Sequence, residues 1–182
     1  MGKKTAKFDT LEGALEFVQT VKQCTLFSNK VEGLPALWDY VNLPEDGGGR
    51  TKWGARLEAI WAWKNELPAT YPDEVFYGKI PGGLAVLMAM DHLREVHYPA
   101  AHQPISKCRD LAQKVFEIIR LDPAETAEIR AIAMERHGCS KSQFDTAMKQ
   151  LQVTLNIARD PEVGTGKDRW LIFREVYPDF GD

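Results

Sequence analysis

The chemistry-bearing groups of this sequence are aromatic rings and cations, not nucleophiles or metal ligands. The middle of the chain gathers Trp38, Trp53, Trp61 and Trp63 with Tyr71, Phe76 and Tyr77. Trp61, Trp63, Lys64, Tyr77 and Lys79 form a candidate pocket for a flat ligand or an extruded base, which aromatic faces and cations hold by stacking and charge. The alternative is a small aromatic core, since such rings dominate burial in most folds. A second set lies nearer the C-terminus. Lys141, Ser142 and Lys149 stand on the outward side of one expected helix, with Asp145 and Gln152, and Arg159, Lys167 and Arg169 stand on the hairpin after it. Side chains of these types contact phosphates and base edges, which makes the six, Lys141, Ser142, Lys149, Arg159, Lys167 and Arg169, the candidate DNA-binding residues. Asp145 and Glu162 among them favour the plainer reading of a solvated face.

Other chemistries lack their residues. His92, His97 and His102 recur at a spacing of five, whereas a helix aligns ligands at three or four, so no metal site is expected. Cys24, Cys108 and Cys139 have no ligand spacing and read as reduced structural thiols. There is no Gly-x-Ser-x-Gly, and Gly47-Gly48-Gly49-Arg50 lacks the Lys-Ser/Thr of a phosphate loop. No catalytic residue and no cofactor are expected.

The elements that must position these groups follow from local signals. Asp9 and Glu12 form a capping pattern ahead of a helix with Leu11, Leu15 and Val18 on its inner face. Residues 24–27 read as a short extended piece, residues 34–41 as a small helix, and residues 44–49 as a flexible loop. Residues 53–66 read as a helix striped by Trp53, Leu57, Ile60, Trp61 and Lys64, broken over residues 68–72. Residues 75–80 read as a strand ending in a Pro-Gly-Gly turn, and residues 84–96 as a buried helix. A proline-punctuated linker spans residues 98–104. Beyond it, residues 106–120 are amphipathic, with Cys108, Leu111, Val115, Ile118 and Ile119 on one side. Asp122, Pro123 and Glu125 read as cap, first-turn proline and third-position glutamate of a helix reaching His137, where Gly138 supplies the stop. Ser140 and Gln143 form a second capping box, opening a helix with Phe144, Ala147, Met148 and Leu151 inward. Residues 153–157 alternate as a strand, residues 160–166 turn, and residues 170–173 return.

Three helices with a tight turn between the last two, closed by a hairpin, give the winged-helix order. The expected fold is therefore α+β and mostly helical. An α-rich, Trp-rich region covers residues 1–103, and a winged helix-turn-helix domain covers residues 104–182. With 44% hydrophobic and 27% charged residues the chain has the composition of a folded protein. Its longest uncharged apolar run, residues 80–90, is too short to span a bilayer. The start fits neither a secretory signal nor a myristoylation pattern, Ala6 standing where Ser or Thr is required, so no membrane association and a cytoplasmic location are expected. Net charge is −3. From Lys107 to Asp182 there are 12 Lys and Arg against 13 Asp and Glu, so only a local cluster of cations can attract nucleic acid.

The segments Leu34-Pro35-Ala36-Leu37-Trp38, Trp61-Ala62-Trp63-Lys64-Asn65-Glu66-Leu67-Pro68 and Tyr77-Gly78-Lys79, ahead of the C-terminal tail, together resemble a set of short bacterial proteins. Those proteins are related to the AlkZ-type winged-helix DNA glycosylases, which remove interstrand crosslinks and alkylated bases. The resemblance covers about residues 24–177 and implies a connection with DNA repair. In the glycosylases a Gln-x-Asp or Gln-x-Gln motif leading a strand positions the hydrolytic water. Here Gln152-Val153-Thr154 stands at a similar junction, with threonine in the second place, and a threonine hydroxyl is no general base near neutral pH. Gln150-Leu151-Gln152 fits the letters but falls within the helix. The resemblance thus implies a non-catalytic DNA-binding protein of repair or transcriptional regulation, with double-stranded DNA as partner. The alternatives are a glycosylase-like base-excision enzyme using the aromatic pocket, and a module that docks a protein partner without nucleic acid.

Overall fold

The computed structural model describes residues 6–163 and 166–180. It is an α+β protein with two small antiparallel sheets. Lys3 and Lys4 near the start of the sequence, and Gly164 and Thr165 of the expected turn, lie outside the described residues. The chain divides into two compact units. One takes the chain up to Tyr77 together with Ala85–Leu93, and the other takes Gly78–Leu84 and the chain from Arg94 on.

In the first unit, α1 (Leu11–Val21) is followed by β1 (Gln23–Thr25), α2 (Leu37–Tyr40), α3 (Ala55–Thr70), β2 (Val75–Lys79, whose last two residues count with the second unit) and β3 (Ala85–Ala89). The sheet order is β1-β3-β2, with Cys24 opposite Leu87. Ala14, Phe17 and Val18 of α1, Ile60, Trp63 and Leu67 of α3, and Leu87 of β3 share one core. The cap of α1 is Thr10, one residue after the expected Asp9, because the Thr10 hydroxyl accepts the Gly13 N–H at 3.1 Å. Pro68 does not end α3, which runs to Thr70. Burial of Leu67 and Pro68, and a bond from the Tyr71 N–H to the Leu67 carbonyl at 2.9 Å, hold the last turn despite the proline's missing donor. The expected helix over residues 84–96 is the strand β3, with helix only from Met90. Val86, Leu87, Met88 and Ala89 are all buried, and a strand covered on both faces shows no alternation to set it apart from a buried helix. Helical turns then run on through α4 (Met90–His92), a π-helical stretch (Leu93–His97) and α5 (Tyr98–Ala101).

The second unit orders α6 (Asp110–Leu121), β4 (Ala124–Glu125), α7 (Thr126–His137), α8 (Lys141–Val153), β5 (Ile157–Arg159), β6 (Arg169–Ile172) and α9 (Phe173–Val176). Its sheet order is β4-β6-β5. Val115, Ile118 and Ile119 of α6, Ile129 and Ala133 of α7, and Phe144, Met148 and Leu151 of α8 make its core with Ile157 and Trp170. Two expectations shift here. The helix expected from Asp122 begins at Thr126, because Ala124 and Glu125 pair with Trp170 and Arg169 as a strand. The Trp170 indole N–H also donates to the Thr126 hydroxyl at 2.8 Å, fixing the join. The strand expected over residues 153–157 starts only at Ile157, since α8 continues through Val153 and Leu155 takes a left-handed φ of 55°. No helix among the described residues is long and apolar enough to cross a membrane.

Candidate nucleic-acid interface

Local chemistry fixes where α8 begins. Gly138 ends α7 in the left-handed region, with φ 64°, which glycine adopts without penalty. The Ser140 hydroxyl accepts the Gln143 N–H at 3.2 Å while the Gln143 side chain accepts the Ser140 N–H at 2.8 Å. Both orphan donors at the helix start are satisfied. With Phe144, Ala147, Met148 and Leu151 buried, helical geometry turns Lys141, Ser142, Asp145, Thr146 and Lys149 outward. Gln152, expected outward, is instead buried and donates to the Met148 carbonyl at 3.2 Å.

The outward face of α8 lines a groove within the second unit. Near the helix start, Ser142, Gln143, Thr146 and Gln150 meet Arg109 and Leu111 around a hollow of about 330 Å³. Further along, Thr146, Lys149 and Gln150 meet Arg109, Gln103, Gly82 and Gly83 around a second hollow of about 400 Å³. The two share Arg109, Thr146 and Gln150. Gly83 sits at φ 84°, a conformation that favours glycine, and the Lys149 stem packs over it. The Arg109 backbone N–H donates to the Gln150 side chain at 3.2 Å and ties the α6 start to α8. Among the described residues, neither Arg109 nor Lys149 has a carboxylate within ion-pair distance. Sequence reasoning named Lys149 and missed Arg109. The only signal for Arg109 was its place at the first turn of an amphipathic helix, which says nothing of α8.

The remaining predicted cations are engaged. Lys141 pairs with Asp145 at 2.7 Å along α8. Arg159 is only 6% exposed and pairs with Asp168 at 2.6 Å across the β5–β6 hairpin. Arg169 pairs with Asp160 at 3.0 Å, and Lys167 with Glu125 at 3.5 Å. Arg159 is therefore internal to the hairpin, whereas Lys167 and Arg169 keep exposed side chains that can exchange partners. Ser142 is exposed and its carbonyl accepts the Thr146 hydroxyl at 3.0 Å.

The junction after α8 is a buried polar knot. The Thr154 hydroxyl donates to the Gln150 carbonyl at 2.7 Å and accepts the Asn156 amide at 2.7 Å. Asn156 also donates to the Gln103 carbonyl at 2.9 Å, and His102 Nδ1 lies 3.1 Å from the Thr154 carbonyl. Tyr98 stacks on the same His102 ring at 4.6 Å. Among the described residues no group of three or more His, Cys, Asp or Glu is placed to hold a metal ion. The cysteines are buried and free, and burial pushes the Cys24 thiol up to about 12.

In the first unit the two tryptophans of Trp61-Ala62-Trp63 part company. Residues two apart on a helix point about 200° from each other, and only one side of α3 is covered at this level. Trp63 is 7% exposed and lies against Phe8, ring centres 6.1 Å apart, while Trp61 is 51% exposed. The Lys64 ammonium sits 4.0 Å over the Trp61 ring and 5.7 Å from that of Tyr77. Trp61 stacks at 6.4 Å on Phe27, which meets Trp38 at 5.9 Å, and the Arg56 guanidinium lies 5.1 Å over Trp38. Trp61, Lys64 and Tyr77 thus come together and Trp63 faces the core. Lys79, two residues beyond Tyr77 on β2, is half-buried.

Comparison with curated proteins and with solved structures returns no match. A family model, AlkZ related, matches residues 8–162, which take in the aromatic strip, the α8 groove and the junction after it. The chain belongs to the AlkZ-related family.

Proposed function

We propose that this protein is a non-catalytic DNA-binding protein of DNA repair whose second unit works as a winged helix, with α8 as the recognition helix. Membership of the AlkZ-related family connects the chain with repair. The order helix, strand, helix, helix, strand, strand, with the tight turn at Gly138–Ser140, supports the winged-helix reading. The observation that carries the reading is the groove along α8, where Arg109 and Lys149 have no carboxylate partner among the described residues and stand beside Ser142, Thr146 and Gln150. Unneutralised cations with neutral donors between them suit a phosphodiester backbone, and Lys141 and Ser142 at the helix start suit base edges. Lys167 and Arg169 on the hairpin are the second contact.

Burial of Gln152 and the two hydrogen bonds of the Thr154 hydroxyl support a binding role over base excision, because both groups are already occupied within the fold. Since the net charge is −3, affinity for random duplex is low and easily abolished by salt. The test is fluorescence anisotropy of a labelled duplex at low salt, repeated across a salt series. Each lost phosphate contact lowers the slope of log affinity against log salt by roughly 0.9. The double variant Arg109→Ala, Lys149→Ala therefore binds more weakly with a slope shallower by about two such steps. Lys167→Ala, Arg169→Ala has a smaller effect, because those cations already share charge with Glu125 and Asp160. No duplex binding by the wild type at micromolar protein, or binding indifferent to the first pair, overturns the reading in favour of a protein partner.

A further inference from the structure

The α8 groove leaves the family-motif residues of the first unit without a role. Trp38, Trp61, Lys64 and Tyr77, which are scattered over forty positions of sequence, form one continuous strip with Phe27 and Arg56. Its order is Tyr77, Lys64, Trp61, Phe27, Trp38, Arg56, so three rings run between two cations and Tyr77 lies beyond Lys64. Trp61, at its centre, is a large ring half in solvent, although the same helix buries Trp63 one turn-face away. From this arrangement we infer that the strip is a stacking platform for an unpaired base of single-stranded DNA, separate from the duplex-contacting groove of α8.

The chemistry is specific in two respects. The exposed Trp61 ring accepts a base whatever its identity, because every base has a π-face. Phe27, Trp38 and Tyr77, half-buried against the core, hold that ring in place. Lys64 already lies against the exposed Trp61 ring at 4.0 Å, which marks that face as reachable by a group of that size. A base that stacks there displaces the ammonium, and the freed cation meets the phosphate attached to that base. Arg56, at the far end of the strip, pairs with Glu45 at 2.6 Å and donates to the Leu43 carbonyl. The inference extends the reading of the chain as a DNA binder, but does not require α8 to be a recognition helix.

The test uses the full chain and a labelled twelve-residue oligothymidine at low salt, followed by anisotropy, with an abasic oligomer of equal length as control. Oligothymidine binds more tightly than the abasic oligomer. Trp61→Ala weakens oligothymidine binding at least about fivefold and leaves the abasic oligomer unchanged, as expected for one lost base–aromatic stack. Trp61→Phe restores most of the loss, and Lys64→Ala weakens both ligands. A far-ultraviolet circular dichroism melt shows that Trp61→Ala is folded. The double variant Arg109→Ala, Lys149→Ala retains oligothymidine binding, so failure of the groove and failure of the strip are read separately. Equal affinity for the two oligomers, or indifference to Trp61→Ala, overturns the inference. Absence of any single-strand binding overturns it too, and leaves the strip to a protein partner.

Discussion

Each unit packs helices against a three-stranded antiparallel sheet, yet the two put their cations to different uses. In the first, Lys64 and Arg56 lie on aromatic rings, although Arg56 also pairs with Glu45, and Lys22 with Asp91. In the second, Lys141, Arg159, Lys167 and Arg169 lie on carboxylates, and among the described residues Arg109 and Lys149 are spared. The helical spacing behind two of these contacts is nearly the same. Lys64 follows Trp61 by three positions on α3, and Lys141 precedes Asp145 by four on α8. A ring attracts a cation through its quadrupole and carries no opposite charge to neutralise it. A cation paired with a carboxylate has spent part of its field locally, so a strong anion must compete for it. The residue beside a lysine therefore decides more about its availability than the count of lysines in its domain.

The sharpest way to break this comparison is to treat the two α3 tryptophans alike. Trp63→Ala removes a buried ring from the first core and costs about 3–5 kcal/mol in a urea melt. Trp61→Ala removes a half-exposed ring and costs about 1 kcal/mol or less. Equal costs would mean that Trp61 is core and that no platform exists. The next largest effect lies in the second unit. Ser140→Ala deletes the cap that starts α8 and costs about 1 kcal/mol, because the Gln143 N–H loses its acceptor.

The smallest effect concerns acid. Hydrogen bonds from the Thr51 side chain and the Arg50 backbone hold the Glu58 carboxyl below the usual carboxylate range. A carboxyl depressed by folding contributes stability that is present above its unfolded pKa, about 4.3, and lost as pH falls through its folded one. Hydrogen exchange at the Arg50 and Thr51 amides thus speeds up as pH falls below about 4, beyond the intrinsic trend. Glu58→Gln abolishes that excess, and an unchanged excess would refute the link. The carboxylate is at the surface, so global stability changes little.

What the sequence determined by itself was whatever a few neighbouring residues settle among themselves. The break between α7 and α8 is set within six positions: Gly138 alone takes the left-handed turn, and Ser140 with Gln143 satisfies the new helix's first donors. The Pro-Gly-Gly turn after β2 and the buried face of α8 are legible for the same reason. Tertiary structure decided the features whose partners lie far along the chain. Residues 85–89 are a strand because Gln23–Thr25 waits beside them, and residues 124–125 are one because Arg169 and Trp170 do. Arg159 is lost to any ligand because Asp168 returns across the hairpin, and Arg109 gains a role because α6 brings it to α8. Trp61 and Trp63 carry identical side chains two residues apart, and only the placement of the neighbouring elements chose which one meets water. Local hydrogen bonds and backbone strain act over a turn of chain, whereas burial and charge pairing act through space, and the sequence alone does not measure that distance.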